Sequence, residues 1–408
     1  MTMQIIRNAR IIDGSQDRAA DPQDIVIENG VFQEVSDKVS LRCDNEIDAK
    51  NHFVMPGLID CHVHVIATTA DLKANADLPN SLLAYRMMAL MKNMISRGFT
   101  TVRDLGGADV GIVDAIEEGL LVAPRLVICG KALSQTGGHT DYRGRYNPRS
   151  VDYYRDQIGA MGRIVDGVDD LRRACREEIK GGANFIKLMA NGGVSSPTDP
   201  IGFLGFSVAE LEAAVEEASN AETYVAGHLY TDEAINRALD AGVYSIEHAN
   251  LIKRETARRV AEKGAVVVPT NITYELLGTR GADFGLPPES IAKVADVRDA
   301  GLEALTMLHE EGVLMGYGSD LLGGMQQFQS GEFPLRGRFL PAHDVIRSAT
   351  LDAAKVMRME GQIGCIAEGA HADLILVRSN PLDDLSVLDG QGEHINAIMK
   401  DGRFVKTI

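Results

Sequence analysis

The chain has 408 residues, 45% hydrophobic and 24% charged, with a formal net charge of -17. That length suits one large domain with a smaller one beside it, and the apolar content can bury a sizeable core. The acidic balance argues against a nucleic-acid surface or an anionic-membrane partner, and no segment reads as a signal peptide or a membrane span.

Taken in chain order, residues 3–12 read as a strand leading to a turn at Asp13-Gly14. Residues 25–30 form another strand-turn unit, and the apolar run 54–62 ends on a histidine. From about Gly57 to Gly361 the chain repeats one pattern of helix, glycine, short apolar strand and polar loop. Helical periodicity over 81–97 ends at Gly98, before a strand at 99–102 and another at 126–130. The helix 170–180 stops at Gly181-Gly182 before the strand 185–189, and 207–221 precedes 223–228. Ser207 with Glu210 has the spacing of a capping box. Helices 231–241, 255–263 and 302–311 stop at Gly242, Gly264 and Gly312, ahead of strands 243–248, 265–269 and 313–317. Glycine tolerates the left-handed conformation that closes a helix, and non-alternating apolar strands suit a sheet covered by helices.

Eight strands alternating with helices predict an α/β fold, a (β/α)8 TIM-like barrel over 57–361, with an open doubly wound sheet as the alternative. Residues 1–56 and 362–408 are rich in alternation and turns, and are expected to meet as a small β-sandwich domain beside the barrel. Five cysteines (Cys43, Cys61, Cys129, Cys175 and Cys365) lack paired spacing, so a reducing cytoplasm is the expected compartment.

Chemistry gathers at the strand ends. His62 and His64 sit at i and i+2, so both imidazoles can face the barrel mouth, although His-x-His by itself is weak evidence for a metal pair. His228 and His248 each end a strand, at the rim where barrel sites are built. Lys187 lies inside the apolar run 185–189, where an ammonium is costly unless it finds a partner or loses its charge. One reading pairs it with a barrel carboxylate. The other has the neutral amine capture carbon dioxide, giving a carbamate that bridges two cations. Asp320 ends the last strand and can bind one metal and hydrogen-bond a water; capping the next loop is its structural alternative. Two divalent cations balanced by a carbamate, Asp320 and a hydroxide leave a mildly electrophilic centre. His309, His343, His52, His371 and His394 fall outside this set, and the stripe Met87, Met88, Met91 and Met94 reads as core packing.

These residues together resemble the amidohydrolase superfamily over essentially the whole chain. The resemblance is carried by Asp13-Gly14, by the run from Met55 to His64, by the segment from Gly361 to Gly369, and by the closing strand 372–377. It implies His62 and His64 on one divalent metal, His228 and His248 on a second, carboxylated Lys187 bridging them, and Asp320 as ligand and proton shuttle, with zinc the expected ion. Thr231 occupies the position where single-metal deaminases carry a glutamate, which disfavours deamination. Thr136-Gly137-Gly138-His139, Asn184 through Lys187, and the loop Gly192-Gly193-Val194-Ser195 resemble the branch of imidazolonepropionase-related peptidases.

That branch implies dipeptide cleavage by a metal-bridging hydroxide, with Asp320 and His139 catalytic. Tyr230, His139, Arg143 and Arg145 are the candidates to hold the substrate, the arginines equally well placed as solvated loop charges. The apolar segment 201–206 is expected to close over a compact residue such as proline, which favours an Xaa-Pro dipeptidase (prolidase). The alternatives are a dipeptidase or carboxypeptidase for C-terminal Arg or Lys, and a cyclic-amide hydrolase. A non-catalytic scaffold would lack one or more ligands, and all six are present. The expected partner is thus a small-molecule dipeptide, with the enzyme a homo-oligomer.

Overall fold

Helices alternate with short parallel strands from Leu58 to Met315 in the computed structural model, which describes residues 3–50, 52–144, 146–194, 199–284 and 288–407. Arg145 and Ser195 lie outside the described residues. One parallel sheet runs Leu58–Val63, Phe99–Asp104, Arg125–Ile128. A second runs Gly162–Ile164, Ala132–Ser134, Ile186–Leu188, Val225–Thr231, Ser245–Leu251, Val266–Val268, Leu314–Met315. Backbone hydrogen bonds span both gaps between these sheets. Cys61 N–H donates to the Tyr317 carbonyl at 2.7 Å, and Asn184 N–H to that of Ile128 at 2.7 Å. Every residue of Leu58–Val63 and Phe99–Asp104 is buried, which is why these strands carry no polar alternation.

Two strands exceed the expected eight. Ala132–Ser134 and Gly162–Ile164 each have three residues, too few for a period of two to register in the sequence. The helices Val110–Glu117 and Asn271–Arg280 are likewise additional, and the helix Pro288–Glu310 starts well ahead of residue 302.

The helix ends follow local chemistry. The Ser207 hydroxyl accepts from Glu210 N–H at 3.3 Å, and the Glu210 carboxylate accepts from Ser207 N–H at 2.8 Å, completing the box that opens Val208–Asn220. The same carboxylate accepts from Gly167 N–H at 2.7 Å, tying this helix to the start of Val168–Lys180. Ser207→Ala should therefore cost about 1 kcal/mol in chemical denaturation, and Glu210→Ala more, because two loops lose an acceptor. Thr231 caps Asp232–Ala241 by accepting from Ala234 N–H at 3.3 Å, and Gly242 closes that helix at φ +94°.

The first and last segments pair directly. Phe53–Pro56 is antiparallel to Leu374–Val377; beyond Leu374–Val377 the sheet continues through Ile395–Lys400 to Arg403–Lys406, and beyond Phe53–Pro56 through Gln4–Ile11 and Gln23–Glu28 to Val31–Ser36. Gln4–Ile11 serves both halves, pairing with Gln23–Glu28 along most of its length and with Phe53–Pro56 at Arg10 and Ile11. Ile6, Ile25, Val54, Leu374 and Met399 share one apolar cluster between them. A separate cluster, with Ile59, Cys61, Phe185, Ala226 and Val268, fills the space among the parallel strands. All five cysteines are free thiols. Among the described residues no helix is long and apolar enough to cross a membrane.

Candidate active site

The carboxyl ends of the parallel strands bring His62, His64, Lys187, His228, His248 and Asp320 to the wall of one cavity, together with His139, Tyr230 and Tyr274. Asp320 stands at the centre. Its Oδ1 is 3.2 Å from His64 Nε2 and 3.4 Å from His62 Nε2, and its Oδ2 is 3.9 Å from His248 Nδ1. One ligand atom from each of His62, His248 and Asp320 lies within 4.8 Å of the others, a spacing that can enclose a cation. His248 Nε2 faces His228 Nδ1 at 2.9 Å, so two imidazole nitrogens converge on one point.

Burial lowers the pKa of His62, His228 and His248, keeping these imidazoles neutral with lone pairs free for coordination. Burial acts to raise the Asp320 carboxyl, but His62 and His64 outweigh it and hold the acid below its usual range. Lys187 is 1% exposed, and its side chain makes no hydrogen bond or ion pair among the described residues. Desolvation pulls its pKa down to about 8, so an appreciable share of the amine is neutral at physiological pH. Only a neutral amine is nucleophilic toward carbon dioxide, and of the two sequence readings the lysine–carboxylate pair is not formed.

Two site residues hold strained backbone. His248 has φ +77° and Asp320 φ +49°, in the left-handed region that disfavours side chains with a Cβ. Each costs on the order of 1–2 kcal/mol and is kept because neighbouring contacts over-determine it. Asp320 N–H donates to the His62 carbonyl at 2.8 Å, and His248 Nδ1 lies 2.8 Å from the Thr270 hydroxyl.

A second set of charges supports the first and was not recognised in the sequence. Glu247, fully buried, contacts His62 Nδ1 at 2.9 Å and accepts from Arg103 at 2.8 Å and from the Ser245 hydroxyl at 2.7 Å. Burial would raise its pKa, but Arg103 and His62 hold it at about 2. The carboxylate therefore fixes the Nδ1–H tautomer of His62 and leaves Nε2 facing Asp320. Asp60, on the same face as His62 two residues earlier, accepts from Ser319 Oγ at 2.6 Å and from Gln329 at 2.9 Å. Its burial raises it to about 6. The signal was present in each case: a charge inside an apolar strand, as with Lys187.

Other sequence candidates fare differently. Tyr230 is buried, with its hydroxyl 2.6 Å from that of Tyr274, which in turn lies 3.1 Å from His248 Nδ1. His139 stacks on His228 with ring centroids 4.4 Å apart. Arg143 does not reach the cavity; it grips Asp141 through two bonds of 2.8 and 2.7 Å, because that carboxylate lies two residues away on its own loop. The segment 201–206 does not line the cavity either. Asn191 donates to the carbonyls of Ile201 and Phe203 at 2.7 Å each, Phe206 enters the core, and Phe203 is exposed. The apolar wall instead comes from Leu72, Met161, Met189, Val194, Leu277, Phe284, Leu322 and Met325.

The chain belongs to the amidohydrolase family, whose model matches residues 53–405. It is 48% identical to a structure described as an amidohydrolase, with full coverage of both chains and a TM-score of 0.97. It is 46% identical, again with full coverage of both and a TM-score of 0.97, to a prolidase complexed with N-methylphosphonate-L-proline. Among curated proteins, the ochratoxinase of Aspergillus niger is 30% identical over 404 residues, covering 91% of this chain and 82% of the relative.

Proposed function

We propose that this amidohydrolase is a binuclear metal-dependent dipeptidase that cleaves Xaa-Pro bonds. The observation that carries the reading is the joining of an Asp-centred histidine cluster and an unpaired buried lysine to a cavity wall of methionines and leucines. The donor set fits two divalent cations: His64 Nδ1 and His228 Nε2 are buried without partners among the described residues, and His228 and His248 oppose nitrogen to nitrogen. His62 and His64 would hold one ion, His228 and His248 the other, with the carbamate of Lys187 between them and Asp320 as a further ligand. Such ions supply a water ionised near neutral pH and a Lewis acid for the carbonyl.

The protein groups then have distinct tasks. Asp320, poised below the usual carboxylate range, takes the proton of the attacking water and returns it to the departing amine. His139 presents a ring nitrogen to the bound dipeptide as a hydrogen-bond acceptor. Tyr230 offers its hydroxyl to the carboxylate of the substrate. Around them we read the two parallel sheets as one closed (β/α)8 ring over 57–361, with 1–56 and 362–408 forming a small β domain.

The walls favour proline over a basic residue. Among the described lining residues the only carboxylate is Asp320, which is already engaged with histidines, so nothing there would pair a guanidinium or an ammonium. The 46% identical prolidase, complexed with a proline phosphonate, supports the same choice. A panel of dipeptides varied at the C-terminal residue, with ochratoxin as a further arm, tests it on the zinc-loaded enzyme. Turnover of Xaa-Pro well above Xaa-Arg and Xaa-Lys is expected, and strong Xaa-Arg turnover with none of Xaa-Pro overturns the reading.

A further inference from the structure

We infer that Asp199 is a positioning residue for His139, selecting the ring orientation that turns Nε2 toward the substrate. This rests on the catalytic reading above for its consequence, though not for its geometry. Asp199 is 2% exposed, and neither carboxylate oxygen has a hydrogen-bond partner among the described residues. A buried carboxylate without donors contributes nothing to holding the fold and carries a desolvation penalty. His139 Nδ1 lies 3.4 Å from Oδ2, and that nitrogen is itself buried and without a hydrogen-bond partner among the described residues. Catalytic hydrogen bonds are often this long before substrate arrives.

The surroundings leave one decision for Asp199 to make. One face of the His139 ring stacks on His228 at 4.4 Å with 20° between the planes. Gly193 closes in on the ring, where an added Cβ would fall 2.0 Å from Cε1 and 2.1 Å from Nδ1. With its plane held by these contacts, the imidazole keeps one coarse freedom, a half-turn about Cβ–Cγ that exchanges nitrogens for carbons. A carboxylate on the Nδ1 side favours the orientation and tautomer with Nδ1–H pointing to Asp199. That leaves the Nε2 lone pair for the cavity. Gly193 N–H donates to the Asp199 carbonyl at 3.2 Å, so the chain that crowds the ring also carries the acid.

The test replaces Asp199 in the zinc-loaded enzyme. Asp199→Leu should lower kcat roughly 10- to 100-fold, leave KM within about threefold, and leave the unfolding midpoint unchanged or higher. Asp199→Asn, which can still present an oxygen to Nδ1–H, should retain more of the activity. His139→Gln should abolish the effect, the double variant being no slower than His139→Gln alone. In 15N-histidine-labelled protein, the His139 signal should show Nδ1 protonated in the wild type and lose that preference in Asp199→Leu. The spectrum reads the geometry whatever the substrate, so it still decides if the dipeptide panel fails. An unchanged tautomer, an unchanged kcat, or additive losses in the double variant would overturn the proposal. Should Asp199→Leu fail to fold, Asp199 holds structure and the inference is equally overturned.

Discussion

Lys187→Ala is expected to lower kcat for dipeptide hydrolysis by about 10³-fold or more, with loss of at least one metal equivalent on analysis of the purified protein. The wild-type amine sits unpaired in a buried site, with its pKa drawn down to about 8. Removing it deletes the side chain that, on the proposed reading, would become the bridging oxygen ligand. Each 1.36 kcal/mol of lost transition-state stabilisation is tenfold in rate, and a Lewis-acid centre contributes several such steps. On the proposed reading the lysine serves as a carbamate, so added formate, acetate or propionate should restore part of the activity to Lys187→Ala. It should restore none to Asp320→Asn, which lacks the proton acceptor. Full activity and two metal equivalents in Lys187→Ala would exclude the bridging role.

Arg103→Met should be the most damaging substitution outside the metal cluster, costing about 3–5 kcal/mol of stability. The guanidinium is fully buried, donating to Glu247 at 2.8 Å and to the Cys61 carbonyl at 2.6 Å, and stacking 5.3 Å from the Phe185 ring. Taking it away strands the Glu247 carboxylate without its counter-charge. Arg103→Met/Glu247→Gln should recover part of the loss, which separates the stranded charge from the lost packing. The pH dependence has a definite sign. In the wild type the Glu247 pKa falls from the usual 4.5 to about 2, so its contribution is present above pH 4.5 and disappears as the pH drops toward 2. In Arg103→Met the same carboxyl titrates higher, so the stability gap between the two proteins should narrow on acidification. A gap that widened, measured by urea unfolding between pH 4 and pH 8, would rule this account out.

Helix caps were readable one residue at a time, because each follows from local chemistry. The box at Ser207 and Glu210 and the closure at Gly242 lie where spacing places them, whereas His228 and His248 do not end their strands: Val225–Thr231 and Ser245–Leu251 each run three residues further, because pairing with the neighbouring strand sets where a strand stops. Arg143 and the segment 201–206 lie away from the cavity wall for a common reason. Arg143 was placed by its nearness to His139 and 201–206 by its apolar residues, whereas a loop is held by whatever partner folds beside it: Asp141 accepts from Arg143, and Asn191 donates to the carbonyls of 201 and 203.

By itself the sequence determined the six rim residues and the class of chemistry they belong to, since an ionisable side chain inside an apolar strand is costly anywhere and so marks its own position. Only the tertiary structure decided that Lys187 lacks a carboxylate partner and that Glu247 and Arg103 brace His62. It alone also placed the unpartnered acid of Asp199 against His139. Those pairings join residues up to 185 positions apart. Burial can be read from a local pattern, but a partner that distant is chosen by the packing of the sheet, which no short stretch of chain encodes.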